Sequence, residues 1–305
     1  MYVIFGANGQ VGRASIAALR RAGQAVRAVV RDVKQRESFE QDGCDVAFAD
    51  LLDTHAIEAA LQGATAVQML CPLPRDDPHP ARTMRATIAA ATDALSKCPP
   101  PILLALSDYG AELDHGSGIT LLFHELEARL KPLAGPHTHL ILLRAAEHMH
   151  NWARVMPAAI ATNRLPSLHH PLTRRFPTVA AQDVGRLAAE LMTAPRDARS
   201  LRVVSVEGPR RIDAQDVAHA LGSALGRSID ALELPRDTWT ATMRQAGLGD
   251  EHTQLIVDLY DAHNAGRIDV EHDATERYFG TTDLADVFAT LVPQVAQALA
   301  ARSAR

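Results

Sequence analysis

Residues 2–14 read YVIFGANGQVGRA. Four strand-like residues, Tyr2–Phe5, lead into glycines at every third position, Gly6, Gly9 and Gly12. Beyond them Val11, Ile16, Ala18 and Leu19 recur at helical spacing, which predicts a helix over 11–22 closed by Gly23. A glycine spacing alone is a weak signal; between a strand and a helix, with a second strand following, it gains a physical meaning. The first glycine permits the tight turn out of the strand. The middle one removes a Cβ that would keep a pyrophosphate away, and the third lets helix and strand pack closely. Free N–H groups at the helix start then offer partial positive charge to phosphates. The stretch predicts a dinucleotide site, with Gly6, Asn8, Gly9, Gln10, Val11 and Gly12 as its contacts.

The same alternation continues outward. Strands are predicted over 25–30, 45–49, 66–70, 101–106, 139–143 and 201–206. Helices are predicted over 33–41, 54–61 (with Thr54 as N-cap), 82–96, 120–130 and 181–192. Nearly continuous apolar strands separated by helices predict an α/β fold, a doubly wound parallel Rossmann sheet covered on both faces. The pattern breaks after Arg144. Residues 145–178 carry prolines and the pair His169–His170 and read as irregular, and the chain from Glu207 onward reads as mostly helical, with one strand-like piece at 229–234. The expected division is a dinucleotide-binding part, 1–145 and 179–206, and a smaller, mostly helical substrate lobe, 146–178 and 207–305.

Composition narrows the function classes. The chain has 305 residues, 47% hydrophobic and 22% charged, the balance of a globular protein. A net charge of −5 argues against a general nucleic-acid binder. No apolar run approaches the roughly 18–20 residues that span a bilayer, and no secretory signal pattern opens the chain, so no membrane partner is expected and the cytoplasm is the expected location. Cys44, Cys71 and Cys98 are odd in number and form no Cys-x-x-Cys pair, which fits free thiols in a reducing compartment. The histidine pairs His148/His150 and His169/His170 lack the cysteine or carboxylate partners of a zinc site, so no metal is expected. The expected partner is a small-molecule acceptor, with a homodimer or a regulatory protein partner left open.

The strand ends indicate which dinucleotide. Asp or Glu after the second strand grips the ribose hydroxyls of NAD; here the strand ends in Arg31, followed by Asp32. A guanidinium can fork onto a 2′-phosphate and stack on adenine, which favours NADP(H) over NAD(H), with Asp32 keeping NAD open. Asp50 and Leu51 end the third strand, where adenine would lie. Cys71, Pro72 and Leu73 end the fourth, near the nicotinamide, and Ser107 and Tyr109 follow the fifth.

These residues resemble the NmrA-like branch of the atypical short-chain dehydrogenase/reductases. The glycine loop, VVRD, ADLLD and LSDYGA carry the likeness, joined by GSGITLLFHELEARL, LILLRAAEHMHNW and FPTVAAQDVGRLAAELM. The resemblance covers residues 1–210 and the last lobe less specifically. It implies NAD(P) binding, together with either reduction of quinones or other carbonyl-like acceptors, or cofactor sensing by a regulator. It also places His124 where relatives carry Lys or His. Two departures stand out: Ala145 replaces a proline after Arg144, and Glu147 and His148 replace bulky apolar residues.

The common short-chain dehydrogenases donate a proton from Tyr-x-x-x-Lys. Four residues after Tyr2, Tyr109, Tyr260 and Tyr278 stand Gly6, Leu113, Asn264 and Thr282, and the only lysines are Lys34, Lys97 and Lys131. Without that acid, hydride transfer from NADPH to a quinone-like or conjugated carbonyl acceptor fits better than alcohol chemistry, because the product anion is stabilised by its own ring. A non-catalytic NAD(P)-sensing regulatory protein and a biosynthetic ketoreductase using Tyr109 as acid are the alternatives. Tyr109, His124 and His148 are the candidate catalytic groups. Tyr109, His148 and Trp152, a ring that can stack on a flat acceptor, are the candidate substrate lining.

Overall fold

The computed structural model describes residues 1–196 and 198–303. Position 197 of the expected dinucleotide-binding part and positions 304–305 of the expected lobe lie outside the described residues. The first half alternates without interruption: β1 Tyr2–Phe5, α1 Gln10–Arg21, β2 Val26–Val30, α2 Arg36–Gln41, β3 Asp45–Phe48, α3 Thr54–Leu61, β4 Ala66–Met69, α4 Pro80–Lys97, β5 Ile102–Asp108, α5 Thr120–Leu130 and β6 His139–Ala145. Then follow β7 Glu147–His148, α6 Met156–Thr162, β8 Arg164–Ser167, β9 Thr178–Val179, α7 Ala181–Thr193 and β10 Leu201–Glu207. The chain closes with α8 Ala214–Leu225, β11 Asp230–Glu233, α9 Trp239–Gln245, α10 Asp250–Asn264, β12 Arg277–Phe279 and α11 Leu284–Ser303.

Eight strands form one sheet in the order β12-β10-β6-β5-β4-β1-β2-β3, every pair parallel. The fold is the doubly wound Rossmann sheet. Both faces are covered, which is why all seven residues of β6, HLILLRA, are buried. Within β1, Ile4 joins the core under α1 and α7, whereas Val3 and Phe5 join the core under α3, α4 and α5. The chain runs outward from β1 through β2 to β3, then returns across β1 to begin β4. That reversal opens a crevice at the carboxyl ends of β1 and β4, the place where such sheets bind ligands.

Helices α1 and α7 meet backbone to backbone. A Cβ at Gly185 would stand 2.5 Å from the Val11 carbonyl oxygen and 2.6 Å from the Ala14 Cβ. This contact clamps the helix whose N-terminus faces the crevice.

Several expectations need correction. Asp53, not Thr54, caps α3, accepting from the backbone of His55 and Ala56. Residues 145–178 are not irregular. They hold a 3-10 turn over Met149–Arg154, helix α6 and three short strands, with β7 paired to β9 and β8 to β11. Proline misled the reading, because Pro157 sits in the first turn of α6, where its missing N–H costs nothing. The segment assigned to the lobe also supplies β12, an eighth strand on the edge of the main sheet.

A smaller core gathers Trp152, Met156, Phe176, Leu221 and Phe288 from both lobe segments. Helix α11 packs its Leu284, Val287, Phe288 and Leu291 there. By length and composition its residues 284–301 would suffice to cross a membrane, so the expectation of no such stretch fails on that measure.

Candidate functional site

The glycine loop turns at Gly6, whose φ of +76° lies in the left-handed region that glycine reaches without strain. Gly9 is the N-cap of α1, with no side-chain cap and no acidic residue in the first turn, and its N–H donates to the Gly6 carbonyl at 2.9 Å. A Cβ on Gly12 would stand 2.2 Å from the Gly6 oxygen, so only glycine lets the helix start this close to the turn. A Cβ on Gly9 would meet nothing but that same oxygen, at 3.3 Å, and its other side is open. Uncapped amides beside an open glycine form a cradle that fits a pyrophosphate. The Asn8 side chain turns away, accepting from Arg13 at 2.6 Å.

A cavity of about 550 Å³ runs from this loop across the carboxyl ends of β4, β5 and β6 to α10. Of the residues singled out in the sequence, Gly6, Gly9, Gln10, Val11, Gly12, Pro72, Ser107, Tyr109 and His148 line it. Asn8, Arg31, Asp50, Leu51, Cys71, His124 and Trp152 do not. Arg31 is exposed at the end of β2 with no partner among the described residues, while Asp32 caps the next turn through the Lys34 N–H. Asp50 is occupied in the same way by the Leu52 N–H. Cys71 is fully buried, and burial pushes its thiol up to about 12, which leaves it inert. His124 holds the Ala111 carbonyl through Nδ1 at 2.9 Å. Trp152 is 5% exposed and packs beside Phe176 in the lobe core, so its ring is not cavity wall.

Ser107 is already spoken for. Its hydroxyl donates to Glu127 at 2.7 Å, and Glu127 receives Arg144 through two bonds of 2.8 and 2.7 Å. Arg144 also reaches Glu112 at 3.0 Å and Glu271 at 2.6 Å, tying β6 to α5, to the loop after β5 and to the segment before β12.

The titratable groups of the inner cavity were largely missed in the sequence. Asp108 ends β5 and lines the cavity; burial, then the nearby Glu147, pushes its carboxyl up to about 7. Burial also raises Glu147, but His169 and Tyr260 outweigh that and hold it well below the usual carboxylate range. His169 Nε2 lies 2.9 Å from one Glu147 oxygen, and the Tyr260 hydroxyl donates to the other at 2.9 Å. The polar residue that replaced an apolar one in the resemblance thus anchors a buried network. Two neighbouring carboxyls are driven apart, one toward the proton and one away from it.

His148 behaves differently from expectation. Burial pushes it down to about 4, so it is neutral at neutral pH and is no imidazolium acid. Tyr109 is 2% exposed, its hydroxyl has no partner among the described residues, and burial raises it further above its ordinary value. An acid tyrosine needs the opposite shift. Among the described residues, no three His, Cys, Asp or Glu side chains come together to hold a metal ion.

Residues 6–98 match the protein family described as NAD(P)H-binding. No curated protein sequence matches the chain significantly. Among solved structures, an NADPH-dependent quinone oxidoreductase from Escherichia coli superposes with a TM-score of 0.74 at 20% identity, over 96% of this chain and 100% of that one. A triphenylmethane reductase from Citrobacter sp., complexed with NADP(H), gives 0.75 at 17%, over 96% and 99%. A nucleoside-diphosphate-sugar epimerase from Staphylococcus aureus gives 0.76 at 16%, over 94% and 99%. Likeness at these identities establishes a shared fold, and the family match covers only residues 6–98, under a third of the chain, the part that carries the glycine loop.

Proposed function

We propose that the protein is an NADPH-dependent reductase of a quinone-like or conjugated carbonyl acceptor, in the NmrA-like branch of the atypical short-chain dehydrogenase/reductases. The observation that carries this reading is one cavity that begins at an uncapped glycine cradle and reaches Asp108, a carboxyl held near neutrality. The glycine loop and the N-terminus of α1 hold the pyrophosphate. Unpartnered Arg31 takes the 2′-phosphate, since Asp32 is committed to its own turn. When bound, the dinucleotide supplies a hydride to the acceptor. Asp108 holds the proton that the reduced acceptor needs, in the role vacated by Tyr-x-x-x-Lys. Leu73, Phe123, Ile256 and Leu259 give the cavity apolar walls suited to a flat ring.

The fold alone does not select a chemistry, since an epimerase shares it. Two structural neighbours, one named a quinone oxidoreductase and one a triphenylmethane reductase, support the choice of conjugated acceptors. The raised, lysine-free Tyr109 counts against the ketoreductase alternative. The test is NADPH consumption with a panel of quinones, enones and simple ketones. Turnover with the first two classes and not the third is expected. Cofactor binding without consumption of NADPH by any member would leave the sensor reading standing instead.

A further inference from the structure

Three groups on the cavity wall that the proposed function does not use stand together at one end of it. Arg75 lies on the loop after β4, Arg154 ends the 3-10 turn after β7, and His252 sits in the first turn of α10. Both arginine side chains are exposed, and among the described residues neither guanidinium has a hydrogen-bond or ion-pair partner. His252 is 9% exposed, and its Nδ1 is buried with no partner among the described residues. Burial first, then the charge of Arg154, lower its pKa; a hydrogen bond to the Arg75 backbone opposes them and the Arg75 charge adds a smaller lowering, so both arginines lie close enough to act on one ring.

Nearby carboxylates do not answer these charges. Glu147 is committed to His169 and Tyr260. Asp250 pairs with Arg244 at 2.7 Å, and Glu251 faces His79 at 3.3 Å. Two guanidiniums unpaired among the described residues, beside an imidazole whose Nδ1 has no partner among them, match one ligand chemistry at this end of the chamber. That chemistry is a carboxylate, sulfonate or phosphate, which a guanidinium can grip with two parallel bonds.

We propose that Arg75, Arg154 and His252 form the recognition site for an acidic group on the acceptor, so that the preferred substrate is an anionic conjugated molecule. This rests on reading the cavity as the acceptor site. Calorimetry on the NADPH-loaded protein, with naphthoate and its neutral isostere naphthamide as probes, reads the site without turnover. Naphthoate is expected to bind at least about tenfold more tightly, a difference of roughly 1.4 kcal/mol. The double variant Arg75→Gln/Arg154→Gln, changed only at exposed positions and checked by its thermal melt, is expected to lose that preference and keep its NADPH affinity. Equal binding of the two probes, or a preference that survives in the double variant, overturns the proposal. So does a matched fall in NADPH affinity, because the arginines then serve the cofactor's own phosphates. A naphthoate preference lost in the variant, beside no NADPH consumption with any quinone, upholds anion recognition and strikes only the reductase reading.

Discussion

Asp108 carries the chemistry of this account, and its pH behaviour has a defined sign. Its carboxyl titrates near 7 in the folded chain against an ordinary value of 3.8. The folded state therefore holds a proton that the unfolded state has already lost between about pH 4 and pH 7. Over that window the group's contribution to stability falls as pH rises, and above it the penalty is complete. Asp108→Asn should raise stability at pH 8 by roughly 1–4 kcal/mol and change it little at pH 4, as read by urea unfolding at the two pH values. The same variant should lower quinone turnover by up to about a hundredfold and abolish the decline in rate as pH passes through about 7. A retained alkaline decline would assign that limb to another group. Nothing in LSDYGA marks Asp108 as an acid. Its shift comes from burial and from Glu147, which only the fold brings beside it. By contrast, Gly6 and Gly12 were legible, because the left-handed φ at Gly6 and the Gly6 oxygen that a Cβ on Gly12 would meet both belong to the turn itself.

Two contacts hold the elements that position the site. At the crossing of α7 with α1, Gly185→Ala would press a methyl against the Val11 carbonyl. Spreading the helices should cost about 1–3 kcal/mol and weaken NADPH binding together with stability, measured by thermal melts with and without cofactor. Arg144 is the second tie. It is 3% exposed and bound to Glu127, which is 1% exposed. Arg144→Met leaves that buried carboxylate only the half-exposed Lys131 ammonium, 3.6 Å away, as counter-charge, a loss of about 3 kcal/mol by urea denaturation. Arg144→Lys should recover only part of it, since an ammonium cannot make the same forked bonds. The alternating strands and helices were readable because each carries its own periodicity. Strand β12 was not, because three exposed residues on a sheet edge have no pattern apart from their partner β10. The prolines of 145–178 pointed to loops, yet Pro157 starts a helix.

At the scale of the whole molecule, the sheet reversal, the glycine cradle and the chamber under α10 form one continuous path, and under the proposed function cofactor choice rests with Arg31, outside that chamber. NADPH should bind at least about tenfold more tightly than NADH, and Arg31→Ala should remove most of that difference while sparing NADH, as followed by calorimetry. The opening stretch YVIFGANGQVGRA announced the fold and the class of ligand in sequence. The chamber lay hidden because its walls come from segments far apart in the chain, β5, β7 and α10, whose meeting depends on the full topology. The most direct test of the central claim is a single turnover, with the NADPH-loaded protein mixed with naphthoquinone in the absence of oxygen. The account predicts stoichiometric oxidation of the bound NADPH, slowed in Asp108→Asn. Bound NADPH that stays reduced in the presence of naphthoquinone and an enone would contradict it.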